Sequence, residues 1–246
     1  MPSSHSHSNG PACHCPCGTA VFIGLRALDP LLQYGIVTYD LGTHILQRLR
    51  GSDIPISRVA REAPARDLPV YRAVLLAMAT GSSIKHILWA SCQAEETLSP
   101  KTAARLALTN TFYNSMNMLL FTTSCTSPSK GTSWDVCQPT LVAGSALYAV
   151  GMLIEICADK QKKKFRRDKK NEGKLYKGGL WGVVRHANYA GYALWRTGFA
   201  VAAGGWPWGA IVAVVTLGEF SCMETRWLEE QLQEQVSGRL MAFRRE

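Results

Sequence analysis

Charge is scarce along most of this chain, and so are the usual signatures of a cofactor site. Of the 246 residues only 18% are charged against 47% hydrophobic, and the mean hydropathy is -0.02. That balance leaves a soluble bundle and a small polytopic membrane protein both open. No glycine-rich dinucleotide fingerprint follows a strand-like run, so any dinucleotide has to bind among helices. The N-terminus, MPSSHSHSNGPACHCPCG, contains no apolar core. A cleavable signal peptide is therefore not expected, and insertion relies on the spans themselves. The cysteines at 13, 15 and 17 are one residue apart, too close for the paired thiolates of a structural zinc site. With His5, His7 and His14 they have the composition of a soft-metal tract or an acylated tail. The expectation is a disordered tail over 1–17 and no metal.

What the chain does have is apolar length. Charge-poor stretches recur at 70–92, 105–125, 138–158 and 189–220, with a weaker one at 18–39. Each is long enough to cross a bilayer at about 20 residues per helix. The last is broken by GGWPWG at 204–209, which predicts two helices or a helical hairpin. The fold class read from this pattern is all-α, a polytopic membrane helical bundle of about six transmembrane helices over 18–222. A soluble bundle is the alternative, because Arg26, Asp29, Arg72, Lys85 and His86 lie within or near the spans. Against it, LVAGSALYAVGMLIEIC and GAIVAVVTLGEF carry almost no polar face. A cytosolic amphipathic tail is expected over 223–246.

The formal charge of +9 is almost wholly local, since the 160–177 segment holds ten Lys and Arg against Asp168 and Glu172. The positive-inside rule places this loop, 159–180, in the cytosol, and its charge also favours anionic membrane lipids. A single short loop between spans is not a nucleic-acid surface. Six spans then put both termini in the cytosol and 124–137 outside. The same alternation puts 40–69, with its five arginines, on the outer side, against the rule, so the first span is open to a re-entrant reading. Cys125 and Cys137 flank the outer loop and can pair in an oxidising lumen. Cys92, Cys157 and Cys222 read as packing residues.

The polar groups concentrate in residues 151–198. Lys162 and Arg166 are one turn apart at the end of a span, an arrangement that suits a phosphate monoester between them. Arg185, Asn188, Tyr189, Tyr192 and Arg196 follow at offsets of three, four, seven and eleven and form one polar stripe. Ionisable groups at membrane depth usually line a cavity or site.

The segments EICADKQKKKFR and GLWGVVRHANYAG, densest over 150–200, resemble the C-terminal domain shared by sterol reductases, steroid 5-alpha-reductases and the DUF1295 membrane proteins of fungi and bacteria. The N-terminal ALDPLLQYGIVTYDLG is similar to fungal members. The resemblance implies an endoplasmic-reticulum enzyme that uses NADPH to reduce an activated C=C bond of a steroid-like or other lipophilic small molecule. By that resemblance Lys162 and Arg166 match the cations near the adenosine 2'-phosphate, and Asn171 lies in the following loop. Trp181, Arg185, His186, Asn188 and Tyr189 match the stripe facing pyrophosphate, ribose and nicotinamide, with Tyr192 beside it. Tyr189, as proton donor or carbonyl partner, and His186 are the catalytic candidates. Tyr34 and Tyr39 are open as partners from the first span.

The sequence departs from the family pattern in three places. Tyr192 stands where the family has an acid, Ala187 where many members have proline, and the end of the chain lacks the usual tyrosine- and proline-containing tail. Isoprenylcysteine carboxyl methyltransferases look similar at RH-x-x-Y-x-G and bind S-adenosylmethionine. A methyltransferase and a non-catalytic scaffold binding lipid or a protein partner therefore stand beside the reductase.

Overall fold

A computed structural model describes residues 16–39, 69–92, 99–123, 126–128, 137–171, 174, 176–184 and 186–243. Side chains of the last helix are described to residue 222. The long elements are α1 (Pro16–Thr38), α2 (Val70–Cys92), α3 (Pro100–Thr122), α4 (Pro139–Arg166) and α6 (Ala187–Phe243). A 3-10 turn (Lys169–Asn171) and the short α5 (Leu180–Val183) lie between α4 and α6. Two starts are set by proline in the first turn, where a missing N–H costs nothing. At α3 the Ser99 hydroxyl also accepts the Thr102 N–H at 3.2 Å, a side-chain cap.

The helices alternate in direction. Phe22 near the start of α1 packs with Ala90 near the end of α2 and Ala103 near the start of α3. Ile36 and Val37 pack with Tyr71, Phe121, Leu141 and Ala202. One end of the bundle therefore carries the basic segment after α4, here called the basic end, and the other carries the 204–209 turn, the hairpin end. Hydroxyl clamps tie the passes together: Tyr71 donates to the Ala202 carbonyl and Tyr148 to the Met78 carbonyl, each at 2.7 Å.

The helix α6 is a hairpin. Gly205 has φ 76° and ψ -175° and breaks the helical run, a region only glycine enters readily. Phe220 then returns to stack on Tyr189 with 4.7 Å between ring centroids, whereas a straight helix would hold the two about 46 Å apart. Two antiparallel arms, 187–204 and from 206 onward, bring the number of passes to six. The expected hairpin at GGWPWG and the expected count agree with this arrangement.

The burial pattern is inverted relative to a soluble bundle. On α1, Arg26, Asp29 and Gln33 are buried while Leu28, Leu31 and Leu32 are exposed. Ile84, Leu88, Leu153, Val214 and Leu217 are likewise exposed on the other passes. Apolar side chains outside and ionisable ones inside are what a hydrocarbon surrounding demands. Four helices, α1, α2, α4 and α6, are also long and apolar enough to cross a membrane. The chain is an integral membrane protein, and the soluble alternative falls. α1 is a full-length helix of 23 residues packed on α2 and α3, so the re-entrant reading falls with it.

α4 and the first arm of α6 pack backbone to backbone. A Cβ on Gly151 would stand 2.3 Å from the Trp195 nitrogen, and one on Gly191 would stand 2.5 Å from that of Glu155. Gly144 and Gly198 repeat the contact one heptad away, at 2.6 Å and 2.5 Å. Small residues at this spacing let two membrane helices approach closely, and the approach sets the site described next.

Several expectations move. α4 runs to Arg166, eight residues beyond the expected end, so Lys160 to Lys164 and Arg166 sit on helix rather than loop. Cys157 and Cys222, expected in the packed interior, are exposed, because their helices turn those faces outward. Tyr34 and Tyr39 pack on each other at the hairpin end, 6.1 Å apart, a full helix length from Tyr189. The tail over 1–15, all of 40–68, Cys125 and the side chains of Cys92 and 223–246 lie outside the described residues.

Candidate functional site

At the basic end the loop after α4 folds back onto that helix. Gly179 takes φ 56°, which favours glycine, and the next N–H, of Leu180, donates to Gln161 Oε1 at 3.1 Å. The Trp181 indole donates to the Ala158 carbonyl at 3.0 Å, and Lys162 Nζ lies 5.2 Å from the Trp181 ring centroid, a cation–π contact. Asn171 Nδ2 donates to the Phe165 carbonyl at 3.0 Å, while Phe165 packs on Tyr176 at 4.8 Å. Lys162, Asn171 and Trp181 are thus brought together around the last turns of α4. Arg166 is exposed on the final turn of the same helix.

A second cluster surrounds the start of α6. His186 stacks on Tyr189 at 5.4 Å, and Tyr189 on Phe220 at 4.7 Å. Tyr192 meets Phe220 edge-on at 5.8 Å and Trp195 at 5.3 Å. Asn188 is half-buried, and its Oδ1 has no hydrogen-bond partner among the described residues. The two clusters share one end: Gly191 packs on Glu155, one turn before Ala158, which holds Trp181. Arg185 lies outside the described residues, so its expected place in the stripe has no structural counterpart here.

Deeper in the bundle is a polar layer of which the sequence reading assigned only Arg196, to the polar stripe of 185–196. Arg196, 2% exposed, donates from Nη2 to Asn110 Oδ1. Its guanidinium lies 4.5 to 4.9 Å from the centroids of Tyr113, Tyr192 and Trp195. Lys85 pairs with Glu155 Oε1, and the Trp195 indole donates to Oε2 of the same carboxylate at 2.6 Å. Arg26 pairs with Asp29 at 3.2 Å. Asp29 also accepts from Gln33 Nε2 at 2.8 Å and Asn114 Nδ2 at 2.7 Å. Arg26 and Lys85 therefore each have a carboxylate, while Arg196 has an amide oxygen and three ring faces. One signal in the sequence could have found this layer: Asn110, Asn114 and Asn117 recur at helical spacing on α3, and all three bond inward, to Arg196, Asp29 and Trp208.

Chemically, the basic end offers stacked rings, a carbonyl oxygen without a partner among the described residues, an imidazole and a phenol at the boundary of an apolar bundle. Those groups suit an adenosine-bearing cofactor and a proton transfer. A family model described as a protein of unknown function, DUF1295, matches residues 96–244. A protein of Ustilaginoidea virens, named probable O-methyltransferase ustE, is 33% identical over 228 residues, covering 90% of this chain and 80% of that protein. No solved structure matches the chain.

Proposed function

Because this chain belongs to the DUF1295 family of membrane proteins, we propose that it is a membrane-embedded enzyme that transfers a methyl group to an oxygen of a lipophilic small molecule. The observation that carries this reading is the 33% identity, over nine tenths of the chain, to the protein named probable O-methyltransferase. The basic end fits the donor that such a transfer uses. S-adenosylmethionine, when bound, supplies an electrophilic methyl group. It is a sulfonium cation with several N–H and O–H donors, and Asn188 Oδ1 is an acceptor without a partner among the described residues.

The chain's own residues then have separable roles. Tyr189, held between His186 and Phe220, positions the reacting oxygen through its phenol. His186 takes the proton of a substrate hydroxyl, the part an imidazole plays in general acid–base catalysis. A lipophilic substrate reaches that end through the bilayer, which the exposed apolar faces of the bundle meet.

A second reading is NADPH-dependent reduction of an activated C=C bond, favoured by Lys162, which lies over the Trp181 ring, and Arg166 one turn further along α4. Here Lys162 and Arg166 take the 2'-phosphate, with Asn171, Trp181, His186, Asn188 and Tyr192 around the rest of the dinucleotide. The ten cations of 160–177 favour so strongly anionic a ligand. Calorimetric titration of nanodisc-held protein separates the two. Methyl transfer predicts binding of S-adenosylmethionine that weakens about tenfold in Asn188→Leu, with no binding of NADPH. Binding of NADPH that is lost in Arg166→Ala supports reduction instead, and binding of neither by folded protein removes both.

A further inference from the structure

The strongest unassigned feature lies at the hairpin end. A cavity of about 730 Å³ is walled by the turn Gly204 to Trp208, by Leu120 and Ile211, by Pro128, and by the start of α4 from Cys137 to Thr140. That volume is in the range of small-molecule sites. The expected place of the chemistry, at Tyr189, is about 25 Å away along the first arm of α6, so this is a separate site.

Three observations say what it would hold. First, no charged side chain lines it among the described residues, so those residues give an ionic head group no counter-charge. Second, Gln138 lines it, is 7% exposed, and has neither Nε2 nor Oε1 hydrogen bonded among the described residues. Gln138 is also the N-cap of α4, and its side chain makes no cap hydrogen bond. A buried amide with both functions unmatched costs stability, and a ligand hydroxyl answers both, accepting from Nε2 and donating to Oε1. Third, the wall is stiff. The Trp208 indole donates to Asn117 Oδ1 at 2.7 Å, and the Gly205 backbone fixes the turn that carries Trp206 and Trp208. The electropositive first turn of α4 favours an oxygen beside it.

The geometry points to a binding site for an uncharged lipid with a hydroxyl head group, its apolar body against the tryptophans and its hydroxyl on Gln138. The site does not depend on the methyl-transfer reading.

The test uses nanodisc-held protein and energy transfer from tryptophan to two fluorescent lipid alcohols, dehydroergosterol and a parinaroyl monoacylglycerol. At least one binds saturably, and its anionic counterpart, the sterol sulfate or free parinaric acid, binds at least about tenfold more weakly. Gln138→Leu lowers affinity for the alcohol by at least about tenfold while leaving the melting temperature unchanged or higher. A residue needed only for folding would lower both. Titration with S-adenosylmethionine and NADPH stays as in the parent protein, which separates failure here from failure at the basic end. The inference is overturned if neither alcohol binds folded protein saturably, if the charged probe binds as well as its alcohol, or if Gln138→Leu binds unchanged.

Discussion

Phe220 lies flat against Tyr189, with 4.7 Å between centroids and 13° between the ring planes, although the whole 187–220 hairpin separates them in the chain. The contact exists because Gly205 reverses the helix, and it closes one side of the candidate site. Gly205→Ala places a side chain where the backbone has φ 76° and ψ -175°. Strain of this kind costs about 1–3 kcal/mol, to be read as a lower melting temperature in nanodiscs. Gly218→Ala, on the same helix with nothing within 4 Å of a new Cβ, leaves stability unchanged or slightly raised.

The close approach of α4 and α6 makes a sharper demand. A Cβ on Gly151 meets the Trp195 backbone nitrogen at 2.3 Å, and backbone cannot rotate aside as a flexible side chain can. Gly151→Ala is expected to cost at least about 1–3 kcal/mol, whereas Gly24→Ala, facing open space, has no such penalty. Thermal unfolding of the two variants side by side checks the difference.

Glu155 holds Lys85 with one oxygen and the Trp195 indole with the other. Glu155→Gln leaves the buried Lys85 without its counter-charge, and breaking such a pair costs about 3–5 kcal/mol. Lys85→Met in the Glu155→Gln background recovers a large part of that loss, because the uncompensated charge is then gone. A double-mutant cycle on unfolding is the measurement. Additive losses would contradict the pairing.

Arg196 depends on Asn110 in a similar way. Asn110→Leu removes the acceptor of Nη2, while Nε and Nη1 lack hydrogen-bond partners among the described residues. The expected destabilisation is about 1–3 kcal/mol. Arg196→Met in the same background offsets it, again seen in unfolding.

Much of this was legible in the sequence, for physical reasons specific to each element. Apolar runs of bilayer length announced α1, α2, α4 and α6, and GGWPWG announced the hairpin, because glycine and proline interrupt a helix wherever they stand. Lys162, Trp181, His186 and Tyr189 entered the candidate site through the family resemblance, and neither the contact of Lys162 with Trp181 nor that of His186 with Tyr189 was read from spacing. The Asn ladder of α3 was not read, since Asn110, Asn114 and Asn117 interrupt an otherwise apolar run without forming a charged motif. Nor were the partners of Arg26, Lys85 and Arg196 legible. Those contacts join different helices, and only the seating of Gly144 and Gly151 on Gly191 and Gly198 brings α4 and α6 close enough to set the layer. Local spacing predicts a helix face but not which face of which neighbour it meets.

The most direct test of the central claim is ultraviolet crosslinking of labelled S-adenosylmethionine to nanodisc-held protein, followed by peptide mapping. Label confined to the last turns of α4 and to 176–192, and competed away by unlabelled S-adenosylmethionine, is the predicted result. Label that resists competition, or that falls on α1 or at the hairpin end, would contradict a methyl-donor site at the basic end.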